Sequence, residues 1–504
     1  MIRKVTDYLD RTAALFPEKE AFTDENRTMT FRELRDEAYC VATALAQREG
    51  FFKKPVAIFM DKQVENIAAM MGVAYSGNFY TVLDVTMPVA RIEKILATLS
   101  PVAIVTTAAH AEAAKAFAGG AEVLVYENLL QSPADRELVD RVKERVISTD
   151  VLFVLFTSGS TGTPKGAIIS HHAVIEYAEW IPEKFPIDES TVFANQTPFY
   201  FIMSAFEIFQ TLRCGCTTHV IPKMAFLFPG MLMDFLKEKQ VNTIYWVPTI
   251  LCMVANLGAL EEPDLPELKL IMFSAEVMPT KQMNMWRRAY PNAMLVNQYG
   301  PTEMTELCGY YILDREIPDH EAIPIGKASE HMDFLILDEK GQPVRDGELG
   351  ELCGRGPSLA YGYYNDPERT AEVFVQNPLN TAYEEKIYRT GDLVRLNEYG
   401  ELVYMGRKDF QIKHLGHRIE LGEIEAAVTS LDGIDRACCF YSTEKSKIVL
   451  FYTGGLDGKE IPGKLRALIP EYMIPGIVRR LDSMPVNLNG KIDRALLKQQ
   501  LNDL

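Results

Sequence analysis

Seven short runs of β-branched and aromatic residues, set apart by helix-patterned stretches, constrain the fold more than any other feature of this 504-residue sequence. They are VAIFM from 56, VAIVTT from 102, VLFVLF from 151, THVIP from 218, TIYWVP from 243, LKLIMFS from 268 and MLVNQYG from 294. Runs this apolar must be covered on both faces, which predicts a layered α/β body with largely parallel, buried strands. From about 324 to 404 the texture changes to Gly-, Pro- and Asn-rich pieces such as DEKGQPVRDGELGE and YGYYNDPE. These predict an antiparallel, hairpin-rich region closing the large domain. After GRKD at 406 to 409 helix and strand patterns resume in IELGEIEAAVTSL, ACCFYS, KIVLFYT and KLRALIPEYMIP, enough for a small α+β domain. The chain is too long for one core. The expectation is a large multi-subdomain α/β domain over 1 to 406 and a small domain over 407 to 504, with no internal repeat.

The formal charge of −17 argues against nucleic acid as the main partner, since phosphate binding needs a basic surface. The charge is uneven. Residues 407 to 504 hold 15 Lys and Arg against 13 Asp and Glu, a net +2, which leaves −19 for the rest. The terminal segment thus suits phosphates or an acidic partner. No apolar run approaches the roughly 18 residues of a membrane span, and the start MIRKVTDYLDR lacks the apolar core of a signal peptide. A cytoplasmic protein is expected. The eight cysteines include one CxC and one CC but no CxxC, and the eight histidines form no HExxH, so reduced buried thiols are expected rather than zinc.

Directly after VLFVLF come Thr157, Ser158, Gly159, Ser160, Thr161, Gly162, Thr163, Pro164, Lys165 and Gly166. Hydroxyls, accessible backbone N–H groups and one ammonium within ten residues make a receptor for an anion, with a triphosphate the natural guest. A Walker A loop is excluded because Lys165 is followed by Gly166, not by Ser or Thr. The same residue types also populate solvated turns.

The loop has company: NQYGPTE (297 to 303), YRTGDL (388 to 393), GRKDFQIKHLGHRIELGEIE (406 to 425) and NGKIDR (489 to 494). Five motifs in this order resemble the adenylate-forming superfamily, which includes acyl-CoA synthetases, luciferases and the adenylation domains of non-ribosomal peptide synthetases. The resemblance runs from PEKEAFTDENRTMTFREL (17 to 34) to Lys491, and length and layout are most similar to free-standing D-alanine carrier-protein ligases. It implies ATP and Mg2+ as cofactors. It also implies two half-reactions: carboxylate plus ATP to acyl-AMP and pyrophosphate, then acyl transfer to a phosphopantetheine thiol.

By the same resemblance, Thr157, Ser158, Gly159, Thr161, Gly162 and Lys165 take the β and γ phosphates. Asn297, Tyr299 and Gly300 belong to the nucleotide site, with Tyr299 stacking on adenine. Thr302 bonds the α-phosphate and Glu303 helps hold magnesium, roles that suit a hard oxygen ligand. Asp392 accepts from the ribose hydroxyls beside Tyr404 and Arg407; an Asp in a Gly turn also caps its own turn. Lys491 is the expected catalytic residue, neutralising charge between the acid carboxylate and the α-phosphate. Asp409 matches the family hinge, about which a mobile small domain rotates to exchange Lys491 for the KHLGHR loop.

RIELGEIE (418 to 425) is similar to enzymes that load carrier proteins, and the sequence runs only about ten residues past NGKIDR. The expected partner is an acyl or peptidyl carrier protein in trans, with CoA as the alternative acceptor. The small carboxylic acid is less plain. In α-amino acid activators the stretch after TPF reads Phe-Asp-x-Ser, and its Asp pairs with the substrate ammonium; here it is Phe201, Ile202, Met203, Ser204. Losing one partner of a buried pair costs about 3–5 kcal/mol, against only about 4 kcal/mol of total binding at millimolar affinity. A non-amino acid is therefore expected, with D-alanine or another α-amino acid held at a non-standard ammonium site as the alternative.

The family's pocket positions carry over to Ile202, Met203, Phe206, Tyr245, Met272, Ser274, Gln298, Glu306 and Leu307. Most are apolar and suit core packing equally well. Glu306 reads either as the partner of an amine placed away from the carboxylate or as a solvated helix charge. Ala275 stands where the family usually has Gly, so its methyl would narrow the pocket. MAFLFPGMLM (224 to 233) is expected to be amphipathic core. A non-catalytic nucleotide-binding member would lack Lys491, Glu303 or the glycine loop, and all three are present.

Overall fold

The structure is a computed structural model and describes residues 2–159, 163–409, 411–485 and 492–499. They fall into two compact units. One comprises Met1–Val85, Leu99–Leu155 and Gly166–Lys408; the other comprises Thr86–Thr98, Phe156–Lys165 and Asp409–Leu504.

Each of the seven apolar runs supplies a strand of the first unit's two large sheets. Among the described residues one sheet has six strands, in the order Glu122–Val125, Ala103–Thr106, Pro55–Met60, Phe79–Asp84, Val151–Thr157 and Lys165–Ser170, parallel through its first five. The other has nine. Its parallel middle runs Met294–Tyr299, Leu270–Phe273, Thr243–Trp246, Val192–Asn195, Thr217–Val220 and Glu20–Thr23, and antiparallel strands add to both edges.

The helix Ser204–Cys214 lies between the two sheets. Phe209 stacks on Phe153 of the six-stranded sheet with centroids 6.4 Å apart, while Phe206 meets Phe193 and Tyr245 of the other at 5.8 and 4.8 Å. With apolar neighbours on two sides, even its Glu207 and Gln210 are buried. The Gly-rich stretch forms a five-stranded antiparallel sheet of Asp333–Leu337, Gly350–Arg355, Lys386–Leu396, Phe374–Gln376 and Leu402–Arg407.

In the second unit the hairpin Gln411–His414 with His417–Glu420 leads into the helix Leu421–Thr429. The helix packs on the three-stranded sheet Ile434–Ser442, Lys447–Gly454 and Ile477–Arg480 through Ile424, Val428, Leu450 and Tyr452.

One expectation is corrected. Residues 224–233 are not wholly core: Ala225 and Leu232 are buried, but Met224, Leu227, Phe228 and Met231 are exposed. The helix Pro229–Glu238 turns Leu232 and Leu236, one turn apart, inward, with Met233 and Phe235 half-buried against the same core and Met231 exposed. Among the described residues no helix is long and apolar enough to cross a membrane.

Candidate active site

Ligands of open parallel sheets bind beyond the carboxyl ends of the strands. Three neighbouring strands of the nine-stranded sheet end at Trp246, Phe273 and Tyr299. Their register pairs Tyr245 with Met272 and Met272 with Val296. Side chains alternate along a strand, so Tyr245, Met272 and Val296 share one face, with Ser274 and Gln298 two residues further on. Phe206 covers that face from the buried helix, and Gln298 Nε2 approaches Met272 Sδ at 3.7 Å. Ile202, Met203 and Leu307 are buried in the same core.

The turn after Tyr299 is wound tightly enough to require its glycine. A Cβ on Gly300 would stand 1.1 Å from the Glu306 carbonyl oxygen. The chain passes through a 3-10 turn at Thr302–Met304, then places Thr305 at φ 51 and Glu306 at φ 70, both left-handed. Side-chain-bearing residues reach that region at a cost of about 1–3 kcal/mol each. Here it is offset by Thr305 Oγ1 donating to the Ser358 carbonyl at 2.7 Å and Cys308 N to the Tyr299 carbonyl at 3.1 Å. Glu306 is thereby only 2% exposed, and neither of its carboxylate oxygens accepts a well-formed hydrogen bond, although the Tyr245 hydroxyl stands beside them. Burial pushes its carboxyl well above the ordinary range; Tyr245 works against the shift and Glu207 adds to it. The solvated-charge reading of Glu306 is thus excluded. Ala275 is also left-handed, at φ 74, which gives a backbone reason for glycine at that position.

Other buried polar atoms nearby lack partners too: Gln298 Oε1, one Glu207 oxygen, Asn195 Oδ1 and the hydroxyls of Tyr177 and Tyr245. The second Glu207 oxygen accepts from Asn195 Nδ2, and Lys62 Nζ donates to the carbonyls of Asn195 and Gln196 at 3.1 and 3.0 Å. Burial pushes the Glu207 carboxyl up and the Lys62 ammonium down, each opposed by the field of the other. Lys62, Tyr177 and Asn195 are not expected here from the sequence. Each is a single residue in a segment without a motif.

On the nucleotide side Asp392, Asn297 and Glu303 each have hydrogen-bond partners. Asp392 and Arg407 are cross-strand partners; Arg407 Nη1 donates to Asp392 Oδ1 at 2.5 Å, with the two side chains 4% and 7% exposed respectively. The Tyr299 hydroxyl donates to the other carboxylate oxygen, also at 2.5 Å. Tyr404 lies on the same strand as Arg407, half-buried. Asn297 Nδ2 donates to the Pro324 carbonyl at 2.7 Å. Thr302 and Glu303 are buried in the 3-10 turn, and Glu303 Oε1 accepts from the Tyr363 hydroxyl at 2.6 Å. Among the described residues no cluster of three His, Cys, Asp or Glu could cage a metal. One buried carboxylate beside a hydroxyl fits Mg2+, which takes one or two carboxylates and completes its shell with phosphates and water.

The glycine loop is part of the second unit. Thr157 closes its strand with a buried hydroxyl that has no partner. Ser158 Oγ donates to the Arg418 carbonyl at 2.7 Å and accepts from Glu420 N at 3.2 Å, with Gly159 buried beside it. Lys165 opens the following strand. Asp409 Oδ1 accepts from Gln411 N at 3.2 Å. Thr161, Gly162 and Lys491 lie outside the described residues.

Residues 9–364 match the AMP-binding enzyme family. The chain is 30% identical to the D-alanine--D-alanyl carrier protein ligase of Bacillus velezensis, over 99% of each chain. It is 32% identical to a mycosubtilin synthase of Bacillus subtilis over 97% of its own length but 19% of that protein, so it spans about a fifth of this relative. A solved NRPS protein containing adenylation and PCP domains, bound to a vinylsulfonamide inhibitor, superposes with a TM-score of 0.83 over 99% of this chain and 84% of that one. At 24% identity it speaks for the fold alone. Match and relatives class the chain as an AMP-forming ligase: it belongs to the AMP-binding enzyme family.

Proposed function

We propose that the chain activates a carboxylic acid with ATP and Mg2+ as an acyl-adenylate and passes the acyl group to the phosphopantetheine thiol of a separate carrier protein. The observation that carries the adenylation reading is the Tyr299, Asp392 and Arg407 cluster beside the turn of Thr302 and Glu303, at the carboxyl ends of parallel strands. Arg407 and Tyr299 hold Asp392 in one orientation, so its remaining acceptor capacity is aimed without reorganisation at a sugar hydroxyl. Tyr363 does the same for Glu303 at the metal position. ATP supplies the leaving pyrophosphate; Thr302 steadies the α-phosphate and Lys491 offsets the negative charge where the acid carboxylate approaches.

The carrier reading draws on the carrier-protein ligase among the relatives. The small domain from 407, hinged at Asp409, alternates between two tasks in this proposal. The Ser158 hydroxyl has one proton to give and gives it to Arg418. Contact with a phosphate and contact with 418–420 therefore compete for the same atom, which fits half-reactions that take turns.

The acid is not an ordinary α-amino acid in this reading. Ile202, buried, offers only hydrocarbon where α-amino acid activators present a carboxylate. One observation favours the alternative of an α-amino acid: Glu207 and Glu306 put two other carboxylates in the same core region.

Lys491→Ala should lower acid-dependent ATP–pyrophosphate exchange by at least about 10²–10³-fold while sparing thiol transfer from supplied acyl-AMP. Near-normal exchange would make the catalytic assignment wrong.

A further inference from the structure

We propose that Glu306 receives an ammonium group carried by the acid on a carbon other than the α carbon, so that the substrate is a β- or ω-amino acid. This deepens the adenylation reading and rests on it.

Native proteins give their buried polar atoms partners, and a group left without any points to a missing ligand. Neither Glu306 oxygen has a well-formed hydrogen bond in its nearly sealed position. Its backbone prevents a retreat to water: the Glu306 carbonyl fills the space that Gly300 leaves, and Thr305 is tied to Ser358. The carboxyl group is held where it is.

The atoms around it say what would satisfy it. Gln298 Oε1 is a further bare acceptor, and the Tyr177 hydroxyl, within the field of Glu306, has an oxygen free to accept as well. Such a cluster asks for a guest with several donors and a positive charge, which an alkylammonium supplies with three N–H bonds. A second carboxylate on the guest would meet like charge, and a plain hydrocarbon would leave the acceptors as bare as they are. Glu207 is a poorer receptor because Asn195 already occupies one of its oxygens and Lys62 lies in its field.

The position of the amine on the guest follows from Ile202. The place where α-amino acid activators hold the ammonium is hydrocarbon here, whereas Glu306 lies on the pocket-lining turn beyond Thr302 and Glu303. The amine must therefore stand away from the reacting carboxylate.

The test is ATP–pyrophosphate exchange by the full chain on three matched sets: β-alanine, 4-aminobutyrate and 5-aminopentanoate; propionate, butyrate and pentanoate; and both enantiomers of alanine, 2-aminobutyrate and 2-aminopentanoate. Fatty and aryl acids complete the panel. The expected result is that the best acid of the first set exceeds its amine-free counterpart and its α-amino isomer by at least about tenfold in kcat/KM. Glu306→Gln should erase that preference while the protein still melts cooperatively. A preference for amine-free or α-amino acids overturns the inference but leaves adenylation standing, as does a preference untouched by Glu306→Gln. No exchange with any acid overturns the adenylation reading and this inference with it.

Discussion

Asp392 and Glu306 are both carboxylates enclosed almost completely in the first unit, and the protein treats them in opposite ways. Asp392 has a guanidinium on one oxygen and a phenol on the other, both at 2.5 Å. Glu306 has no well-formed hydrogen bond on either oxygen, with the Tyr245 hydroxyl beside it, and a backbone held in the left-handed region. The first is a finished cluster. The second is complete only in company. Burial therefore says little about the role of a charged residue, whereas counting its partners separates scaffold from receptor.

That contrast is broken or sharpened by three measurements. The largest effect is expected from Asp392→Ala, which strands the Arg407 guanidinium in the interior and should cost about 3–5 kcal/mol in denaturant unfolding. A cost below about 1 kcal/mol would put the pair among solvated ion pairs and remove the distinction. Glu306→Gln should have the opposite sign. Without ligand it removes the cost of burying an ionisable carboxyl and should stabilise by about 1–3 kcal/mol near pH 8.

The pH dependence tests the cause. A carboxyl whose folded pKa lies above its unfolded one binds more protons folded, so stability falls as pH rises from the ordinary value of 4.5 through the folded value. The Gln variant lacks this loss, and its advantage should widen between about pH 5 and about pH 8. An advantage constant over that range would trace the effect to packing. The smallest change is Ala275→Gly, where relief of the strain at φ 74 is offset by added freedom in the unfolded chain, leaving a net within about 1 kcal/mol. Its readout is size selectivity: bulkier acids should gain in exchange, and an unaltered profile would remove the Ala275 methyl from the pocket wall.

Much of the fold was legible because its signals are contiguous. Seven of the eleven parallel strands described in the two large sheets sit in contiguous apolar runs, and the site turns sit in short motifs such as NQYGPTE. What was not legible joins distant segments or depends on conformation. The Tyr299 to Asp392 bond spans 93 positions, and Lys62, Tyr177 and Asn195 each come alone from separate elements. Thr305 and Glu306 adopt a backbone region that neither residue type advertises. The outward Met224, Leu227, Phe228 and Met231 escape a sequence reading because apolar residues fall on both sides of that stretch, so composition could not say which side docks.

The hollow at Gly300 bears on how such an enzyme changes its diet. Because the main chain at 306 is seated in that hollow, the side chain there behaves as an exchangeable tip on a fixed socket. A lineage can try a new acid by rewriting one codon at 306 while Thr302 and Glu303, four and three positions upstream, keep their place on the same turn. A change at 300 moves everything at once. The turn from 300 to 306 is thus a single backbone unit, on which the side chain at 306 is the part that can be exchanged alone.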